Sequence, residues 1–250
     1  MDANYPINQT QLNKVQQEFE NPAKPNVNQS QEQQQQNKQQ TMTDENPFKR
    51  NLLNINYGRL KELNETYESY TNKAFNLVLD LDNTLIHSSP SKINNSIPCQ
   101  ISFKSGCKMT YHIKKRQHLQ EFLQELSKYY NIIIYTAQEQ EYADPIINII
   151  DPKKIIKKRY YRDNCTKHPN GFIKDLQLVC PDMSKVVMID TSKFSTQLNE
   201  DNTLIIPPYY GNDDDEEFVI LETFKEILQS FVVKKTDFRD QVQEIKDSYF

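Results

Sequence analysis

The chain reads as an α/β protein: a doubly wound, mainly parallel sheet with a small β-hairpin insertion and no large cap domain. Two observations predict this. Short apolar runs that fit buried strands alternate with stretches whose apolar residues recur at helical spacing. Three of those runs also end in polar residues: Asp80, Asp82 and Thr84 at the end of 77–81 and just past it, Thr136 after 132–135, and Asp190 closing 185–190. Strands joined through helices run parallel, so these ends share one edge of the sheet. Ligands of open α/β sheets bind at that edge.

The elements follow in order. Residues 1–50 are rich in Gln and Asn, and 31–40 is mostly side-chain amide. Such a segment buries too little apolar surface to offset its ordering entropy, and a disordered arm is expected. In 51–73, Leu52, Leu60, Leu63, Tyr67 and Tyr70 recur near helical spacing, which predicts a helical lead-in. The main domain is expected over 74–233. Its first strand is 77–81. Weak alternation around Gly106 predicts a hairpin with strands at 99–104 and 108–113. Leu119, Phe122, Leu123, Leu126 and Tyr130 form one helix face, followed by the strand 132–135. Asp144 as N-cap and Pro145 at the first position open a short helix that Asp151-Pro152 stops. A further strand is expected within 157–162, then 185–190, then 203–206 closed by Pro207-Pro208. After Gly211 the acidic run 213–217 opens a helix, its charge complementing the helix dipole. Phe218, Leu221, Phe224, Leu228 and Phe231 supply its core face. A C-terminal helix is expected within 234–250, around 238–249.

Composition narrows the function classes. The 250 residues carry a formal charge of −4, from 30 basic and 34 acidic residues, which leaves no nucleic-acid footprint. No stretch approaches the roughly 20 apolar residues of a membrane span. The N-terminus has neither a charged n-region nor an apolar h-region, so no secretory signal is expected. Cys99, Cys107, Cys165 and Cys180 lack Cys-x-x-Cys spacing and read as reduced packing thiols of an intracellular protein. The four histidines lack zinc-ligand spacing and are assigned no chemistry.

The chemistry gathers at the strand ends. Side chains alternate along a strand, so Asp80, Asp82 and Thr84 start out on one side. Two carboxylates so close repel unless a cation or a shared proton neutralises them. Lys174, in the segment 172–176 ahead of the third strand, is the basic residue this frame draws in.

The order Asp-x-Asp-x-Thr, strand-Thr, Lys, strand-Asp resembles the haloacid-dehalogenase-like superfamily. The finer resemblance is to its small C-terminal-domain phosphatases, the FCP/SCP-like or NLI-interacting-factor-like group. It runs from about Ala74 to Ser230 and includes the segments 77–89, 115–123, 135–137, 142–145, 161–165, 172–176 and 187–190. The resemblance implies an aspartyl-phosphate mechanism on a phosphorylated protein, the RNA polymerase II tail or a related phosphoprotein. It implies Asp80 as nucleophile and Asp82 as acid, then base. Thr84 and Thr136 would hydrogen-bond the nucleophile or the phosphoryl oxygens, and Lys174 would neutralise charge. Magnesium would be held by Asp80, the carbonyl of Asp82, Asp190 and Thr191. Arg162 and Tyr142 would help bind the phosphoprotein, and nuclear residence follows by resemblance only. Thr191 stands where the group usually has Asn or Asp. Pro90 and Glu139 stand where larger apolar residues are common.

Spacing bears on the substrate separately. About fifty-five positions separate Asp80 from Thr136, part of them helical, and no domain fits between Lys174 and Asp190. The site is therefore expected to be open, as a phosphorylated protein side chain requires. A sugar phosphate would need enclosure. Two rivals stand beside this reading: a catalytically weak scaffold of the same fold, and a small-metabolite phosphatase.

Overall fold

A five-stranded parallel sheet organises the chain. The computed structural model describes residues 75–213 and 215–249, with the side chains of 215–219 and 249 left aside. The expected Gln/Asn-rich arm, the lead-in helix and the side chain of Phe218 lie outside the described residues. The central strands are β1 (Phe75–Leu79), β5 (Tyr130–Tyr135), β6 (Lys158–Tyr160), β9 (Val186–Asp190) and β10 (Thr203–Ile205), in the order β10-β9-β1-β5-β6. Every pairing is parallel.

Alternation along the strands divides the core in two. Leu77, Leu79, Ile132, Ile134, Val187 and Ile189 face one side and pack against the long helices. Those helices are α1 (Leu119–Leu126), α2 (Gln140–Ile150), α3 (Asp215–Lys234) and α4 (Phe238–Tyr249). Val78, Ile133, Tyr135, Val186 and Met188 face the other side, where Leu176 from a 3-10 turn and Tyr160 cover them. Both faces are dry, as near-continuous apolar strands require. Helices α1 and α3 are also tied across their surface by Lys225, which pairs with Glu121 and Glu222. Among the described residues, no helix is long and apolar enough to cross a membrane.

The insertion after β1 is a three-stranded antiparallel sheet of β2 (Ile86–Ser89), β3 (Ile97–Ser102) and β4 (Lys108–Lys115), in the order β2-β4-β3. The hairpin is the expected one. The strand β2 is an addition: Ile86, His87, Ser88 and Ser89 carry no alternation, and pairing with β4 recruits them. A second unexpected hairpin, β7 (Thr166–His168) with β8 (Gly171–Ile173), carries the chain toward Lys174. Strands of three residues are too short to show a period.

Two expected helix boundaries move. Tyr130 belongs to β5, not to α1; its hydroxyl reaches inward and donates to Leu228 O at 2.6 Å. Helix α2 starts at Gln140, a turn before Asp144-Pro145, so Pro145 lies inside it. Asp144 does not cap: its carboxylate accepts from Arg159 and Tyr161. The proline removes a helical hydrogen bond, and burial of Tyr142, Ala143, Ile146, Ile147 and Ile150 along one face offsets that loss.

Register fixes the functional edge. Leu79 pairs with Ile134 on one side and Ile189 on the other. Asp80 therefore leaves β1 beside Asp190, and Thr136 follows the end of β5. The expected strand 77–81 ends two residues early, yet the Asp80 N–H still donates to Ile189 O at 3.0 Å.

Candidate active site

The loop after β1 doubles back on itself. The Leu85 and Ile86 amides both donate to Leu81 O, and the Asn83 amide donates to Ile86 O. This tight path puts Asn83 at φ 58°, a left-handed conformation that Asn tolerates better than most residues. The turn folds Thr84 onto Asp80: its hydroxyl donates to Asp80 Oδ2 at 2.7 Å, fully buried. Two outside contacts fix the loop. Arg116, 1% exposed, donates to Thr84 O and Pro207 O and lies over the ring of Tyr209. The Tyr209 amide donates to Asn83 O at 2.7 Å.

Lys174 enters from the opposite side. Its amide donates to Ser195 O, and its carbonyl accepts from the side chain of Asn199. Its ammonium donates to Asp80 Oδ1 at 2.7 Å and Asp190 Oδ2 at 2.6 Å. The remaining oxygen of Asp190 accepts from the Ser192 amide. Lys174 and Asp190 are each 1% exposed. Burial alone would lower the lysine's pKa, but the two carboxylates hold it above its ordinary value. Burial, with Asp80 close by, pushes Asp190 upward.

Asp82 occupies a different setting. Its Oδ1 accepts from the Tyr142 hydroxyl at 2.5 Å and from Ser88 at 3.2 Å, and Ser88 and Tyr142 touch each other. Its Oδ2 is buried with no partner. Burial is the main reason its pKa is pushed up to about 6; the Tyr142 bond opposes this and the Asp80 charge adds to it. A carboxyl poised there can hold a proton and release it at physiological pH.

The nine residues singled out in the sequence divide into groups. Asp80, Thr84, Lys174 and Asp190 form one bonded cluster. Asp82 and Tyr142 form a second beside it. Thr136 is buried at the end of β5, where its hydroxyl accepts from the Gln138 amide. Thr191 follows Asp190 and is half-buried. Arg162 lies farther out, in a 3-10 turn, where it donates to Ala137 O and pairs with Glu139. It shares with Asp82 and Tyr142 an open groove of about 480 Å3, also lined by Phe103, Tyr111 and Tyr210. Sequence reasoning missed Ser88, Arg116 and Asn199. Ser88 and Arg116 lie within motif segments, so the signal existed. Asn199 acts through a backbone carbonyl and leaves none.

Comparison with known proteins identifies the family. The family described as NLI interacting factor-like phosphatase matches residues 75–239. Nuclear envelope morphology protein 1 of Schizosaccharomyces pombe is 36% identical over 156 residues, which is 61% of this chain and 33% of that protein. The human carboxy-terminal domain RNA polymerase II polypeptide A small phosphatase 1 is 33% identical over 131 residues, 51% of this chain and 49% of that protein. This chain thus spans a third to a half of the length of those relatives. A solved structure of the fission yeast RNA polymerase II CTD phosphatase Fcp1 bound to beryllium fluoride aligns at 24% identity and a TM-score of 0.48, covering 76% of this chain and 58% of that one. With its family's pattern spanning the sheet and both carboxylate clusters, the chain belongs to the NLI interacting factor-like phosphatases.

Proposed function

We propose that the protein is a magnesium-dependent phosphoprotein serine/threonine phosphatase that works through an aspartyl-phosphate on Asp80. The observation that carries this reading is the buried Asp80–Lys174–Asp190 arrangement beside an Asp82 oxygen with no partner.

Asp80 attacks phosphorus, forming an acyl-phosphate bond as the bond from phosphorus to the substrate oxygen breaks. Thr84 and Lys174 hold the two Asp80 oxygens, so the nucleophile is oriented before substrate arrives. Asp82, protonated, gives its proton to the leaving oxygen. It then takes a proton from water, whose oxygen attacks phosphorus as the bond from phosphorus to Asp80 breaks, releasing phosphate and restoring the carboxylate. Thr136 and Lys174 face the phosphoryl charge, and Asp190 keeps the lysine in place.

The residues present fit a hard divalent cation. Ionised, Asp80, Asp82 and Asp190 outnumber the charge of Lys174, and Asp82 Oδ2 is an orphan oxygen. Asp80, the carbonyl of Asp82, Asp190 and Thr191 would hold magnesium, with waters completing its shell. Bound there, magnesium would neutralise charge on the phosphoryl oxygens. Among the described residues, the group of three His, Cys, Asp or Glu side chains that converges within 4.8 Å is elsewhere, at His118, Glu121 and Glu222. The proposed site draws on a backbone carbonyl and a hydroxyl instead, so such a cluster is not required.

The open groove suits a phosphorylated side chain on a protein. The relative named for the RNA polymerase II carboxy-terminal domain supports that tail, or a related phosphoprotein, as the substrate. Thr191, a neutral hydroxyl, favours the second reading, a phosphatase-like scaffold without turnover. Hydrolysis of an aryl phosphate with and without magnesium, beside Asp80→Asn, decides. Magnesium-dependent activity lost in the variant supports the enzyme. A folded but inert wild type leaves the scaffold.

A further inference from the structure

Outside the buried cluster, the groove carries one arginine, Arg162, and the chain itself already engages it. Its Nη1 donates to Glu139 Oε1 at 2.8 Å, its Nε donates to Ala137 O at 2.8 Å, and its guanidinium stacks on Phe172. Glu139 is the N-cap residue of α2, yet its side chain caps nothing. Short N-cap side chains such as Asp or Ser turn to the free amides of the helix. This one turns to the arginine instead.

Glu139 also stands on the wall between two depressions. On one side is the groove that Asp82 lines. On the other, past Phe103, is a hollow of about 320 Å3 whose walls include Glu139, Glu141 and Asp163. The cation there is Lys104, from the β3–β4 turn, paired with Glu141 at 2.8 Å. An anionic group beside the phosphoresidue would meet an Arg162 neutralised by Glu139, and then a hollow where Lys104 is matched by Glu141 and Asp163 adds a further negative charge.

We propose that Glu139 is a specificity-determining residue. By holding Arg162 in an internal ion pair it turns the groove against substrates with a second phosphate or acid beside the phosphoresidue. Singly phosphorylated segments with uncharged or basic flanks are left as the preferred class. The proposal rests on the phosphoprotein reading of the site. Discrimination here works by withholding an attractive group and adding a repulsive one. Both charges are partly exposed, with side-chain exposures of 34% for Arg162 and 50% for Glu139, so the preference is moderate.

The test uses the full chain and one peptide sequence in three forms: singly phosphorylated, doubly phosphorylated on either flank, and singly phosphorylated with a lysine flank. Two readouts are taken: kcat/KM normalised to aryl phosphate, and peptide Kd on the Asp80→Asn background. Wild type should favour the lysine-flanked and singly phosphorylated peptides in both. Glu139→Gln should improve the doubly phosphorylated peptide relative to the singly phosphorylated one by about fivefold, the scale of an exposed ion pair. Adding Arg162→Gln should erase that gain, because the released arginine is its source. An unmoved ratio in Glu139→Gln, or a wild-type preference for double phosphorylation, overturns the proposal. Selective binding without hydrolysis would instead sink the phosphatase reading and leave this inference standing.

Discussion

The cluster around Asp80 and the groove around Arg162 solve opposite problems with the same residue types. Around Asp80, two carboxylates and one ammonium are largely buried, with 12% of the Asp80 side chain left exposed, and each polar atom of the ion pairs has a fixed partner. Around Arg162, the ion pair is half in solvent and the wall is aromatic. Buried pairs are costly to break and resist change. Exposed pairs are worth little and can be exchanged. The difference teaches where chemistry and choice reside: reaction geometry sits in the dry cluster, and substrate preference in the wet groove.

Asp80→Asn cuts deepest into this contrast. The amide is nearly isosteric and keeps a carbonyl for Thr84, but it cannot form the acyl phosphate. Activity should fall by roughly 10⁴-fold or more with the circular dichroism spectrum unchanged. Retained turnover would remove Asp80 as nucleophile. Lys174→Met comes next and strikes both activity and fold. It strands Asp80 and Asp190 side by side in a dry site, at a cost of about 3–5 kcal/mol in urea unfolding. An equal loss on Arg162→Met would erase the distinction between the two regions; that variant should cost about 1 kcal/mol or less.

Asp82 lies between the two regions, and its stability effect should run against its activity effect. Its folded pKa is about 6, above the ordinary 3.8. The folded state therefore binds more protons than the unfolded state between those values. Stability falls as pH rises through that window and stays reduced above it. Asp82→Asn removes the penalty, so thermal melts should show the variant gaining up to about 3 kcal/mol at neutral pH and little at pH 4. Turnover should drop in the same variant. A stability gain independent of pH would rule out Asp82 titration as the cause.

The two regions also differ in how far they can be read from sequence. Asp80, Thr84 and Asp190 follow from strand ends, because an apolar run that stops at a carboxylate states both the strand and its edge; Lys174 is drawn in only by the frame they make. The parallel sheet carries those ends together by register alone. The groove has no such rule. Phe103 and Tyr111 come from the inserted hairpin, Glu139 from a helix start, Arg162 from a 3-10 turn and Tyr210 from a strap. The sequence pattern put the start of α2 at Asp144 and left Glu139 outside any element. Its pairing with Arg162 leaves no sequence signal, since the two are 23 residues apart with α2 and β6 between them. Tyr142 is legible as part of a motif but not as the partner of Asp82, which depends on how α2 lies against the inserted sheet.

Thr191→Asn is the finest probe, and it acts at the rim of the dry cluster. Thr191 follows Asp190 directly and is half-buried, so its side chain is accessible where Asp190 is not. A hydroxyl is a neutral donor with no formal charge to offer a hard cation, whereas an amide oxygen is more strongly dipolar and reaches one bond farther. If magnesium sits at the carboxylate edge, the asparagine should tighten it a few-fold in isothermal titration, with a lower magnesium requirement in the aryl phosphate assay. The wild-type bonds of Lys174 to Asp80 and Asp190 do not involve Thr191, so the melting temperature of the metal-free protein should hold. Unchanged magnesium affinity would take Thr191 out of the metal shell. A shift in metal-free stability would show instead that the residue belongs to the dry cluster, and the boundary between the two regions would have to move outward past it.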